Sequence, residues 1–160
     1  MGILMSSKAA RIRPLGYNII KVSEFLAKIP NWFLDSGEFV NSSNFLELAM
    51  NEFFVQGLEL DLTAVIWDAD FRYNPKTKSW DYYYFNGKEW SGIKRNDTTH
   101  ETKRQYMMNA YRVLLTRARS SMVIVVPEGC DKAEDATRCH EFYDGTYDYL
   151  KSLGLTELIE

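Results

Sequence analysis

Residues 54–61 read Phe-Val-Gln-Gly-Leu-Glu-Leu-Asp, a glycine turn with two acids that leads into the apolar run 62–67. Gly57 allows close approach to the backbone, and Glu59 can accept a hydrogen bond from a hydroxyl such as that of a ribose. Residues 109–119 read Asn-Ala-Tyr-Arg-Val-Leu-Leu-Thr-Arg-Ala-Arg and run into a second apolar stretch, 122–126. Loops at the ends of parallel strands are where open α/β sheets bind ligands. Each segment also has a ligand-free reading: the first as a turn before a strand, the second as a helix whose basic C-terminus suits its dipole.

Three further groups carry potential chemistry. Asp68 and Asp70 follow the 62–67 run, and alternate residues of an extended segment share one face, so together they can face a divalent cation. No third acid or lysine stands at a matching spacing, so no metal is expected. Residues 71–95 hold eight aromatic and six basic side chains. Aromatic faces stack on bases while cations track phosphates, which makes Trp80, Tyr82, Tyr84 and Trp90 candidates for gripping single-stranded nucleic acid. The competing reading is an amphipathic hairpin that packs one aromatic face on the domain. Cys130, Cys139, His100 and His140 match no zinc spacing and read as two reduced thiols and two histidines, which fits a cytoplasmic protein.

These residues need a scaffold, and composition limits its kind. The 160 residues fit one domain, and a chain of this length buries enough surface to fold without staples. Net charge is −3, from 19 basic and 22 acidic residues, so the chain is not a simple basic nucleic-acid coat. No apolar run approaches the ~20 residues of a membrane span. Residues 3–5, 17–22, 62–67 and 122–126 read as strands, those at 3–5, 62–67 and 122–126 as fully buried ones. Ser6-Ser7 can cap a helical turn through Arg13, and Ser23 can cap a short helix that Pro30 stops. Residues 45–55 fit helix and strand equally. An antiparallel insertion spans about 71–95, with a turn at Asn74-Pro75 and the hairpin signal Asn86-Gly87. Thr98 and Glu101 form a capping box for a helix to about residue 116, with Met107, Ala110, Tyr111, Leu114 and Leu115 on one face. The acidic tail reads as helix with Tyr147, Leu150 and Leu153 as its stripe. Strands alternating with helices predict a three-layer α/β domain with a mainly parallel sheet and a β-hairpin insertion.

Taken together and in this order, the two opening segments resemble motifs V and VI of superfamily 1 helicases. Gln56-Gly57-Leu58-Glu59-Leu60-Asp61 is similar to the motif V pattern (Lys/Gln)-Gly-x-Glu-(Phe/Leu)-Asp. The stretch from Tyr111 to Arg119, "YRVLLTRAR", is similar to the motif VI pattern Tyr-x-x-(Leu/Ile)-Thr-Arg-Ala. The nearest resemblance is to the Schlafen-group-3-like DNA/RNA helicase domain, carried also by "GILMSSKAARIRPLG", "AVIWDADFRY" and "TRCHEFYDGTYDYLKSLG".

The resemblance implies a RecA-like fold with residues 1–160 as a single C-terminal lobe. It implies that Arg117 is the motif VI arginine finger, and that Gln56, Gly57 and Glu59 line the same nucleotide cleft. Arg13, or its neighbour Arg11, is the candidate for a second phosphate contact. The chain has neither GxxxxGK[ST] nor GxGxxG, so it holds no phosphate loop of its own. ATP and Mg²⁺ are therefore expected only together with an N-terminal P-loop lobe, which is one implied partner; single-stranded DNA or RNA is the other. The alternative reading is a non-enzymatic module that binds nucleic acid or protein through the aromatic-basic hairpin.

Overall fold

The computed structural model describes residues 1–19, 25–35, 38–93 and 98–158. The chain forms β1 (Gly2–Met5), β2 (Asn18–Ile19), α1 (Phe25–Leu34), β3 (Leu48–Met50) and β4 (Leu60–Ile66). It continues through β5 (Phe71–Asn74), β6 (Ser79–Phe85), β7 (Trp90–Gly92), α2 (Thr98–Leu115), β8 (Ala118–Val125) and α3 (Asp144–Ser152). Five strands make one sheet in the order β2-β3-β1-β4-β8, and each neighbouring pair is parallel. The mainly parallel α/β fold expected from the sequence is thus the fold observed. β5, β6 and β7 form the expected antiparallel insertion as a separate three-stranded sheet.

Alternation along the parallel strands divides their side chains between two faces. On one face Leu4 and Val65 pack with Trp32 of α1, Leu114 of α2, and Met50, Phe54 and Val55. On the other, Ile3, Met5, Ala64 and Ile66 are covered by Ala9 and Ile12 of the segment that follows β1, with Tyr17 beside them. That segment replaces the expected capped helix with a turn at Ser6, whose carbonyl accepts from Ala9 N–H at 2.9 Å, and a 3₁₀ turn at Arg13–Leu15. Pro14 fits there because the first turn of a helix needs no proline N–H.

Three local expectations are corrected, and one open reading is decided. α1 runs through Pro30 rather than stopping at it. An internal proline costs about 3 kcal/mol, and the compensation is Trp32, which is fully buried and donates its Nε1–H to Leu48 O at 2.9 Å. The ambiguous 45–55 stretch contains β3 and then turns. The 122–126 run is not fully buried: Met122 is 36% exposed, because β8 is an edge strand with a neighbour on one side only. Of the stripe expected in the tail, Leu150 of α3 packs on the core, but Tyr147 and Leu153, just past the helix, face solvent, and Thr146 is the fully buried residue. Its hydroxyl accepts the Tyr73 N–H at 3.0 Å, so the helix docks on a strand backbone as well as on apolar side chains. Ser23, residues 20–22 of the strand expected at 17–22, and Lys94 and Arg95 of the insertion lie outside the described residues, as does the Thr98 side chain.

Candidate functional site

β4 and β8 start side by side, and this brings the two opening segments together. Leu60 N–H donates to Arg117 O at 2.9 Å, and Leu60 pairs with Ala118. The Arg117 guanidinium reaches back over the preceding turn. Its Nη1 donates to Leu58 O at 3.2 Å and Val55 O at 3.4 Å, and its Nε donates to Val113 O at 3.0 Å at the end of α2. Nη2 donates to Thr116 Oγ1 at 3.0 Å. Four of the five N–H groups a guanidinium carries are thereby engaged within the chain.

Gln56, Gly57 and Glu59 are exposed on that turn. Gly57 has φ 78°, a left-handed conformation that glycine adopts without strain. A Cβ placed there would meet no atom within 4 Å, so the backbone can be approached from outside. Glu59 lies 3.8 Å from Arg119, which also lies 3.9 Å from Asp61. All three are well exposed, and such pairs contribute little. The turn thus presents the Gly57 backbone and the Glu59 carboxylate to solvent. The Arg117 guanidinium is tied to the Val55 and Leu58 carbonyls of that turn.

Arg13 is exposed on its 3₁₀ turn. Arg11 is committed elsewhere. Its side chain donates to Thr137 Oγ1 at 2.7 Å and Asp135 Oδ2 at 2.6 Å, and its N–H donates to Asp68 Oδ2 at 2.9 Å. Arg112 is exposed on α2.

The opposite end of the sheet carries a second polar centre, roughly 20 Å away along the length of β4. Asp68 and Asp70 are fully buried. Asp70 accepts from Tyr111 Oη at 2.6 Å and from Ser6 Oγ at 2.7 Å. Asp68 accepts from Tyr143 Oη at 3.1 Å and from the Ala69 N–H at 2.7 Å as well as from Arg11. Burial lifts both carboxyls above their ordinary range; Asp70, with the Asp68 charge as the second cause, is raised to about 7. Burial likewise raises Tyr111 and Tyr143, with Asp70 and Asp68 respectively adding to it. These hydroxyls stay protonated and donate.

Arg72 sits beside this centre, its guanidinium 3.8 Å from the Phe142 ring centroid and 4.0 Å from that of Tyr83. Its Nε donates to Ala69 O, and burial lowers it to about 10. The two carboxyl groups are thus held by hydroxyl and N–H donors, away from solvent. Among the described residues no cluster of three or more His, Cys, Asp or Glu can hold a metal.

Sequence reading noted the Asp-Ala-Asp spacing but missed Ser6, Tyr111, Tyr143 and Arg72. A tyrosine on an apolar helical stripe reads as core, and only its burial against a carboxylate shows the second role.

Of the four hairpin aromatics, three are built into packing. Trp80 stacks on Phe71 at 4.3 Å between ring centroids, and Tyr82 lies 5.2 Å from Phe71. Trp90 donates its Nε1–H to Thr137 O at 2.8 Å and packs on Phe85. Tyr84 is 49% exposed. The four-residue connection 86–89 is closed by Asn86, whose Oδ1 accepts from Lys88 N–H and Glu89 N–H, both at 2.9 Å.

The fold is a mainly parallel α/β domain in which these two segments lie side by side. The family model described as Schlafen group 3, DNA/RNA helicase domain, matches residues 1–128, and the chain belongs to that family. It is thus a nucleic-acid-related, helicase-like domain. Comparison with curated proteins gives no match, and neither does comparison with solved structures. Among the described residues no helix is long and apolar enough to cross a membrane.

Proposed function

We propose that this chain is the second, RecA-like lobe of an ATP-driven DNA or RNA helicase or nucleic-acid-dependent ATPase. The observation that carries this reading is the contact between the 56–59 turn and the end of α2, where Arg117 hydrogen-bonds to Val55 O and Leu58 O. Family membership adds to it. ATP bound between this lobe and a P-loop lobe supplies the bond whose hydrolysis drives the motor. This chain's part is to orient: Glu59 accepts from a ribose hydroxyl, and the Gly57 N–H and Gln56 face the nucleotide. Arg117 presents its fork to developing phosphate charge when it lets go of the turn carbonyls. Arg13 is a further candidate for a phosphate contact. Mg²⁺ belongs to the P-loop side.

The test is turnover. The chain alone should show no ATP hydrolysis with magnesium and single-stranded nucleic acid, since P-loop donors supply most phosphate contacts. Combined with an N-terminal P-loop lobe of the family, it should hydrolyse ATP, and Arg117→Ala should lower kcat by roughly 10³-fold or more with a much smaller effect on ATP binding. Hydrolysis by the repurified chain alone that disappears in Arg117→Ala would overturn the half-site reading.

One observation favours the alternative, a nucleic-acid-binding module without catalysis. Four of Arg117's five N–H groups are satisfied inside the chain, as in a structural tie. Unchanged kcat in Arg117→Ala of the combined lobes would select that reading.

A further inference from the structure

The segment after β1, the β6–β7 end of the hairpin and the first half of α2 enclose an open groove of about 1060 Å³. Its walls include Lys8, Tyr84, Phe85, Ile93, Lys103 and Tyr106. This volume is at the upper limit of the ~300–1,000 Å³ usual for small-ligand pockets, so it accommodates more than one planar ring. Tyr84 and Tyr106 are 49% and 39% exposed, an uncommon state for large aromatics whose neighbours Phe85 and Met107 are more buried. Lys8 and Lys103 are both exposed. No acid lines the groove among the described residues, although the chain as a whole is net acidic.

The Tyr106 ring is held in place. Its hydroxyl donates to Glu52 Oε1 at 3.3 Å, and Glu52 is itself buried and bound by Ser7 Oγ at 2.6 Å and Ser7 N–H at 2.8 Å. The carboxylate beneath the groove is therefore occupied by donors. Burial first and Glu52 second push the Tyr106 hydroxyl up to about 12, so the ring stays neutral. Tyr84 is positioned by strand pairing, opposite Ser91 in the β6–β7 ladder.

We propose that this groove binds a single-stranded nucleic-acid segment, with unpaired bases stacking on Tyr84 and Tyr106 and backbone phosphates paired to Lys8 and Lys103. The proposal deepens the nucleic-acid part of the reading above and does not depend on the ATP site. It places the contact at the hairpin end of the sheet, away from Arg117, and on a residue set that shares only Tyr84 with the aromatic hairpin residues singled out in the sequence. Apolar walls with two cations at the rim suit stacked bases, every one of which has a π-face, better than they suit a duplex.

The experiment is fluorescence anisotropy of the full chain with short labelled oligo-dT and oligo-U at low salt, without ATP. Wild type should bind, and Tyr84→Ala and Tyr106→Ala should each weaken binding roughly 5- to 100-fold. Tyr106→Phe keeps the ring and should bind within a few-fold of wild type. Lys8→Ala with Lys103→Ala should reduce the salt-dependence slope by about 1.4, two phosphates' worth on a single strand. Tyr147→Ala on α3 is the unaffected control. Equal binding of both oligonucleotides, or preference for one, supports the proposal and separates base stacking from recognition of the ribose 2′-hydroxyl. No binding by wild type, or wild-type affinity in folded Tyr84→Ala and Tyr106→Ala variants, overturns it. Neither result bears on the ATPase test.

Discussion

Tyr111 donates its hydroxyl proton to Asp70 at 2.6 Å, and both side chains are closed off from solvent. With Ser6 and Tyr143 the pair joins the end of β1, the segment after β4, α2 and the start of α3. Burial first, and the neighbouring Asp68 charge second, raise the Asp70 carboxyl to about 7.

This proton makes folding pH-dependent with a definite sign. An unfolded aspartate titrates near ~3.9, so between about pH 4 and pH 7 the folded chain holds a proton that the unfolded chain has lost. Stability from this group is full below that window and falls as pH rises through it. The Asp68 shift has the same sign, and Asp135, lowered to about 2 chiefly by its Thr137 hydrogen bond, titrates below the window. Urea midpoints should therefore rise as pH drops from 8 to 6 in wild type (a range spanning the ~7 value). Asp70→Asn should flatten that slope, and an unchanged slope would remove Asp70 as its source.

Docking of α3 should depend on one hydroxyl. Thr146→Val keeps the shape but leaves the Tyr73 N–H without its acceptor. The cost should be about 1 kcal/mol in urea unfolding, the low end of the penalty for an unsatisfied donor because Tyr73 is half-buried. A loss within ±0.5 kcal/mol, the range of ordinary surface changes, would mean that the helix is held by its aromatic contacts alone, such as Tyr149 on Tyr73 at 4.0 Å.

The hairpin aromatics should separate by position. Trp80→Ala removes a ring stacked on Phe71 and Trp67 and set edge-on to Tyr149, and should cost about 3–5 kcal/mol. Tyr84→Ala, on an exposed ring, should stay within about 0.5 kcal/mol. Thermal denaturation of the two variants checks this, and similar losses would contradict the packing assignment.

Arg117 should also matter without any nucleotide. Arg117→Ala leaves the Val55 and Leu58 carbonyls without their charged donor, and the chain should lose about 1.5–3 kcal/mol. Arg119→Ala, whose partners lie at 3.8 and 3.9 Å on the surface, should lose well under 1 kcal/mol. Equal losses in denaturant titrations would mean that the turn stands without Arg117.

Elements with local signals are legible in the chain alone. The apolar run at 3–5 and the branched run at 62–67 predict β1 and β4, Asn86-Gly87 marks the hairpin, and the spacing of Met107, Ala110, Tyr111 and Leu114 gives the buried face of α2. The family resemblance was also legible, because it rests on contiguous residues. Tertiary structure alone decided which polar groups meet. Ser6 reaches Asp70 across 64 positions, Tyr143 reaches Asp68 across 75, and Arg117 reaches Leu58 across 59. Strand register and helix docking set those contacts, and neither leaves a periodic trace in the chain. The same holds for Pro30, which a local rule reads as a stop: the helix continues because Trp32 gains a closed pocket and a carbonyl partner on another strand.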